Sequence, residues 1–297
     1  PYTTLFRSLM VKNNRNDSFD GKAIRAARKK MHLSQVELAE GITTQATISL
    51  VENQNRVPNA DVLLAILDRL NLDISEFVSG DFLTQKAKEL LGKVVLEMKH
   101  DALSEFAEFE KALSQNAPTL QAYYILKAAD ACHNKKDFAE VVHYADLAVD
   151  TRTPSLGDFY TFYAYRQMGT NYYLQGDIEA AKEKFEYAFE LEPNLLTAGD
   201  MEFHGALQGR QYYAEFLIAQ NELDKAADLL TEGLEILRKR VDLFWVPDLS
   251  ELLAQVEEKR GNHEAAQKQI HYAHVAAYLS NCQKAEARLA QLDTIKF

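Results

Sequence analysis

The chain has 297 residues, of which 47% are hydrophobic, with 33 Lys and Arg against 44 Asp and Glu and a formal net charge of −11. This length and apolar content allow about two domains with sizeable cores. No apolar run approaches the ~18 residues of a membrane-spanning helix and no secretory signal pattern occurs, so a soluble, cytoplasmic chain is expected. Two cysteines, Cys132 and Cys282, stand far apart without a CxxC pair, which argues against a disulfide framework or a zinc site. Of eight histidines, only His271 and His274 share a helical face, and they lack a third ligand. No phosphate loop, nucleophile elbow or dinucleotide fingerprint is present. The sequence therefore predicts no enzyme, no cofactor and no metal.

The acid is unevenly spread. Residues 1–80 hold 10 Lys and Arg against 9 Asp and Glu, whereas the remainder holds 23 against 35. An acidic body repels the phosphate backbone, so nucleic acid should meet only the N-terminal part.

In chain order, residues 1–9, opening PYTTLFRS, fit nothing that follows and read as a non-native leader of translated adapter sequence, with Met10 as the expected start. The segment FDGKAIRAARKKM then forms a first helix. Its Lys22, Arg25, Arg28, Lys29 and Lys30 have no acidic residue among them, and are either phosphate-facing or a solvated face. Ser34 followed by Glu37 is a capping box, in which the hydroxyl takes a free backbone N–H and the carboxylate reaches back. Leu38, Ala39 and Ile42 form the inner face of this second helix. A turn at residues 41–43 follows, and Thr44 caps a third helix whose narrow apolar stripe is Ile48 and Val51.

The opposite face carries Gln45, Ala46, Thr47, Ser49 and Leu50, a short neutral surface suited to reading base edges in a major groove. Gln45 is the expected base reader, and Gln35, at the start of the preceding helix, the expected phosphate contact. Thr44, Asn53 and Arg56 complete the candidate DNA-binding set. Asn59 is positioned to cap a fourth helix, ADVLLAILDRL, and NLDISEF forms a short fifth one.

These residues resemble the cro/phage-repressor (XRE) type of helix-turn-helix domain from Phe19 to Val78. The resemblance implies a five-helix domain over residues 10–80 and an ion pair between Arg28 and Glu52. It also marks a departure at Gln54, where relatives often carry a glycine in the left-handed conformation.

From about Asp81 onward helix-period spacing continues to the end, with almost no strand signal. Residues 165–193 fit the tetratricopeptide pattern: Tyr165, Met168, Gly169 and Tyr172 on one helix, Gly176 and Asp177 at the turn, Ala181, Phe185 and Ala188 on the next, and Pro193 ending it. With Asp177 as a ruler, weaker copies turn at Asp101, Asp137, Glu222 and Asn262, at intervals longer than the ~34 residues of a standard unit. The expectation is an all-α chain: a linker or first repeat helix over 81–99, then about five tetratricopeptide repeats over 100–297 with a capping helix near residues 281–292.

The first helix of each pair should line the concave side. Projection places there Tyr123, Leu126 and Asp130; Tyr163, Arg166, Thr170, Asn171 and Tyr173; Gln208, Gln211 and Glu215; and Glu251 and Gln255. Aromatic, amide and charged groups together suit an extended peptide, although each tyrosine is equally explained as inter-repeat packing. The excess acid favours a guest with a free amino terminus or a basic side chain.

The whole arrangement is similar to the Rgg/PlcR-type (RRNPP) regulators. That resemblance implies cytoplasmic quorum-sensing transcription control, in which a short linear signalling peptide binds the concave surface and changes how a homodimer presents two heads to double-stranded DNA with an inverted-repeat operator. Two other readings stay open: a ligand-independent repressor whose repeats serve dimerisation or recruitment, and a scaffold with a vestigial head.

Overall fold

The computed structural model describes residues 20–56, 60–72, 80–96, 102–151, 157–281 and 283–292. The expected leader with Met10, the Asn59 cap and most of the NLDISEF helix lie outside them. Among the described residues there is no strand, and no helix is long and apolar enough to cross a membrane.

The N-terminal unit comprises α1 (Gly21–Lys30), α2 (Gln35–Ala39), α3 (Gln45–Gln54) and α4 (Ala60–Arg69). Each of the first three starts on a side-chain cap. The Asp20 carboxylate accepts from the Lys22 and Ala23 backbone N–H groups, Ser34 and Glu37 form the reciprocal capping box, and the Thr44 hydroxyl accepts from Thr47 N–H. Such a cap stabilises a helix by about 1 kcal/mol. The helices enclose a core of Ile24, Leu38, Ala39, Ile48, Val51, Leu63, Ile66, Leu67 and Leu70. At the C-terminal end of α2, the Arg69 guanidinium donates to the carbonyls of Leu38 and Glu40, where a cation also opposes the negative end of the helix.

The end of α3 corrects one expectation. Gln54 stays helical, and the left-handed residue is Asn55, with φ +51°. Asparagine adopts this conformation more readily than residues with larger side chains. Its Oδ1 accepts from Gly21 N–H at 3.1 Å. Gly21 is required there, because a Cβ would lie 2.1 Å from the Val51 carbonyl oxygen. Thus the start of α1 is seated directly on the end of α3.

The remaining chain runs through α5 (Gly80–Leu91, continued by a π-helical turn Gly92–Leu96), α6 (Ala102–Gln115), α7 (Leu120–Asp130, continued by a π-helical turn Ala131–Lys135) and α8 (Phe138–Asp150). It goes on through α9 (Gly157–Leu174), α10 (Ile178–Leu196), α11 (Asp200–Ala219), α12 (Leu223–Arg240), α13 (Val246–Lys259), α14 (His263–Leu279) and α15 (Gln283–Leu292). Asp137 and Asp177 cap α8 and α10 through their side chains. Glu222 and Asn262 occupy the cap positions of α12 and α14 without a side-chain cap bond. Among the described residues these helices form five antiparallel pairs. The first helices, α5, α7, α9, α11 and α13, pack on one another in succession, whereas each second helix packs mainly on the first helices to either side. Helices that touch directly form the inner layer of such a stack, so the first helices present the inner surface.

Small residues set the spacing. Gly169 of α9 lies against the Phe185 ring of α10, where a Cβ would come within 3.1 Å, and Gly209 of α11 seats the Phe162 ring, which a Cβ would approach to 2.3 Å. Phe185 in turn stacks on Tyr213, with ring centroids 5.2 Å apart. Buried Arg210 ties three helices together, donating to both carboxylate oxygens of Glu192 at 2.6 and 2.7 Å, to Glu232 and to the Leu229 carbonyl.

Pro193 does not end its helix, contrary to expectation: α10 continues to Leu196. Fully buried Leu195 and the bond from Asn194 to Asp158 at 3.0 Å hold that last turn in place, offsetting the hydrogen bond that proline cannot donate. At the far end, Ala285 and Leu289 of α15 cover Ala273 and Ala277 of α14. At the near end, Leu64 of α4 packs against the repeat core.

Candidate functional site

In the head, four side chains form one hydrogen-bonded chain running outward from the core. Arg28 donates from Nε and Nη2 to the two oxygens of Glu52, at 2.5 and 2.9 Å, and from Nη1 to the Leu33 carbonyl at 2.6 Å. Gln35 Nε2 donates to Glu52 at 2.9 Å, and Gln45 Nε2 donates to Gln35 Oε1 at 2.7 Å. Burial alone would raise the Glu52 pKa, but the bonds from Arg28 and Gln35 and the charge of Arg28 hold its carboxyl below the usual range. The ion pair is therefore structural, and it removes Arg28 from the basic surface, leaving Lys22, Arg25, Lys29 and Lys30 exposed.

Of the candidate DNA-binding residues, Thr44, Gln45, Ala46, Leu50, Asn53 and Arg56 are exposed, while Gln35, Thr47 and Ser49 are half-buried. Thr44 and Thr47 are tied together by the cap and by a hydroxyl–hydroxyl contact of 3.0 Å. Asn53 accepts from Arg25 at 3.3 Å and donates to the Ser49 carbonyl at 2.9 Å. The face of α3 turned away from Ile48 and Val51 is thus neutral, solvent-facing and preorganised, with basic side chains on the neighbouring helix.

The candidate inner surface divides differently. Leu126, Asn171 and Gln208 do not face a groove as expected. Leu126 belongs to the core, Asn171 is buried and donates to the Phe138 carbonyl at 3.1 Å, and Gln208 is buried. First helices that pack directly on their neighbours enclose the positions along the seam between them. Tyr163 and Arg166 are also buried, with the guanidinium carbon 4.2 Å from the centroid of the Tyr163 ring and 4.5 Å from that of Tyr212.

Several other candidates keep solvent contact. Tyr123 is half-buried with its hydroxyl near Glu110, and Asp130 accepts from Asn134 at 2.8 Å. The Thr170 hydroxyl donates to the Arg166 carbonyl, and Tyr173 meets Phe216 edge-on. Gln211 donates to exposed Glu215 at 3.0 Å, Glu251 is half-buried, and Gln255 is exposed. Glu215 keeps solvent contact, yet the protein crowding it, with Asp248 nearby, pushes its carboxyl above the usual range against the hydrogen bond from Gln211 and the charges of Arg166 and Arg288.

Sequence reasoning missed Tyr212, Asp248 and Arg288. Arg288 reaches back from α15 to Glu251 at 2.5 Å and Asp248 at 2.9 Å. Nothing local in the sequence signals a pairing across so long a separation. Tyr212 lies next to Gln211, and the aromatic partner of Arg166 is visible only once α9 and α11 are seen to be adjacent. Among the described residues no group of three His, Cys, Asp or Glu side chains is placed to hold a metal ion.

Residues 24–77 match the helix-turn-helix family HTH_3. The head is a helix-turn-helix domain. Beyond it, the chain is similar to PlcR of Bacillus thuringiensis, solved in complex with the peptide PapR7 and DNA, at 17% identity and a TM-score of 0.57 over 91% of this chain and 98% of that one. It is also similar to the apo form of the competence regulator ComR of Streptococcus vestibularis, at 15% identity and a TM-score of 0.54 over 92% of this chain and 96% of that one. Likeness at these identities establishes the fold: a helix-turn-helix head joined to the helical repeat body of PlcR and ComR. No curated protein sequence is a significant match.

Proposed function

We propose that the protein is a sequence-specific DNA-binding transcription regulator whose repeat body binds a short linear peptide and alters the DNA binding of a homodimer. The observation that carries this reading is one chain holding a preorganised neutral recognition face on α3 and, on the first helices of the repeats, an inner surface of aromatic, amide and charged groups. The PlcR structure, with its peptide and DNA, supports the pairing of those two elements.

In this reading Gln45 reads a base edge, and Gln35 acts on it by holding its side chain while remaining tied to Glu52. Lys22, Arg25, Lys29 and Lys30 approach the phosphates. One small head contacts too few bases to be selective, so two heads related by a twofold axis meet an inverted repeat. No residue is assigned a catalytic role.

The test begins with protein purified from its native host, denatured so that any small bound molecule is released for mass spectrometry. A recovered short peptide that rebinds the refolded protein and changes its affinity for duplexes selected from a random pool is the expected result. Selection of a defined duplex with no peptide recovered, and with DNA affinity indifferent to host extract, would instead favour a ligand-independent repressor.

A further inference from the structure

The chain neutralises its other described buried arginines. Arg28 is paired with Glu52, and Arg210 with Glu192 and Glu232. Arg166 is different. It is only 5% exposed, its Nε is buried without a hydrogen-bond partner, and among the described residues no carboxylate lies within ion-pair distance. The guanidinium lies over two rings, that of Tyr163 of its own helix at 4.2 Å and that of Tyr212 of α11 at 4.5 Å. Its charge is felt by Glu215, which is bonded by Gln211 and not by the guanidinium. A charge held this way is costly until an anion meets it, and a planar guanidinium matches a carboxylate with two parallel bonds.

We propose that Arg166 receives a carboxylate of the bound ligand, beside the rings of Tyr163 and Tyr212. This rests on the reading of the inner surface as a peptide site and specifies its chemistry. The carboxylate belongs either to the C-terminus of the peptide or to an acidic side chain. The acidic groups of the same surface, Glu215 with Asp248 and Glu251, outnumber Arg288, so the site is bipolar: a cation for one end of the guest and net acid for an amino group. The overall negative charge of the body therefore misleads about the guest at this one position.

The probes are three synthetic heptapeptide libraries passed over the immobilised full-length protein, with retention read by mass spectrometry. One has free C-terminal acids and no Asp or Glu, one is the same library amidated, and one is amidated but contains Asp and Glu. Charge-assisted bonds of this kind correspond to a preference of roughly 10- to 100-fold. Retention of the first library over the second assigns the C-terminus, and retention of the third over the second assigns a side chain. Equal retention of all three overturns the proposal and leaves peptide binding standing. Retention of none overturns both.

Arg166→Met should abolish the preference while leaving the unliganded melting temperature unchanged or higher, since it removes an unpaired buried charge. A merely structural Arg166 would lower that temperature and leave the preference intact in Arg166→Lys. The proposal instead requires Arg166→Lys, which keeps the charge and loses the fork, to lose most of the preference.

Discussion

Replacing Arg28 by alanine removes three hydrogen bonds at once. The Glu52 side chain, fully enclosed in the native head, is left with Gln35 as its remaining donor, and the Leu33 carbonyl loses its partner at the junction of α1 and α2. Breaking a buried pair from one side costs about 3–5 kcal/mol, a large part of the ~5–15 kcal/mol that holds a typical domain together. Because the chain joins two cores and need not unfold in one step, the assay is hydrogen exchange in the full-length protein, followed at the amides of α3. The protection of Ile48 and Val51 should fall by about 100-fold or more, while amides of α9 to α12 stay as they are.

The same pair gives the head an acid limb. The folded Glu52 carboxyl lies below its unfolded value of 4.5, so its contribution is complete above that pH and is lost as pH falls through the folded value. In Arg28→Ala this loss on acidification should be smaller. Unchanged exchange in α3 with weakened DNA binding would refute the structural assignment and make Arg28 a phosphate contact.

Gln45→Ala should lower affinity for a selected duplex by ~1–3 kcal/mol and barely change binding to random DNA; a titration showing equal loss on both would remove Gln45 from base readout. Gln35 and Gln45 share a bond of 2.7 Å, so their double-mutant cycle should show coupling of about 0.5 kcal/mol or more, and additive effects would mean that Gln35 contacts DNA independently. Gly209→Ala places a Cβ 2.3 Å from the Phe162 ring and should destabilise the repeat body by ~1–3 kcal/mol through overpacking, read as a shift of its thermal transition; an unchanged transition would show that α9 and α11 separate freely. Sedimentation should find a dimer on an inverted-repeat duplex, and a monomer both free and bound would exclude twofold recognition.

What was legible in the sequence is what local chemistry determines. Ser34, Glu37 and Thr44 announce helix starts because a cap is made within four residues, and all three cap as read. The turn residues Asp137 and Asp177 work the same way. The pairing of Arg28 with Glu52 was available only through family resemblance, since no spacing rule links residues on two different helices. Gln54 misled because the turn uses the next residue, whose side chain also reaches Gly21. Pro193 misled because a helix end depends on what buries the following turn, here Leu195, and not on the proline alone.

The inner surface was the least legible part. A periodic ruler picks the face of each helix but not how closely neighbouring helices approach, so Leu126, Asn171 and Gln208 were projected outward although packing encloses them. Arg288 was invisible because it belongs to the capping helix and not to any repeat.

The central claim is that one molecule couples two sites, and reciprocal titration tests it most directly. DNA affinity is measured with and without saturating peptide, and peptide affinity with and without saturating duplex, in one buffer at one salt concentration. The account predicts that both affinities change by the same factor, as linkage requires, with the factor set by how differently the peptide binds the two arrangements of the dimer. Tight peptide binding that leaves DNA affinity unmoved, and DNA that leaves peptide affinity unmoved, would contradict it.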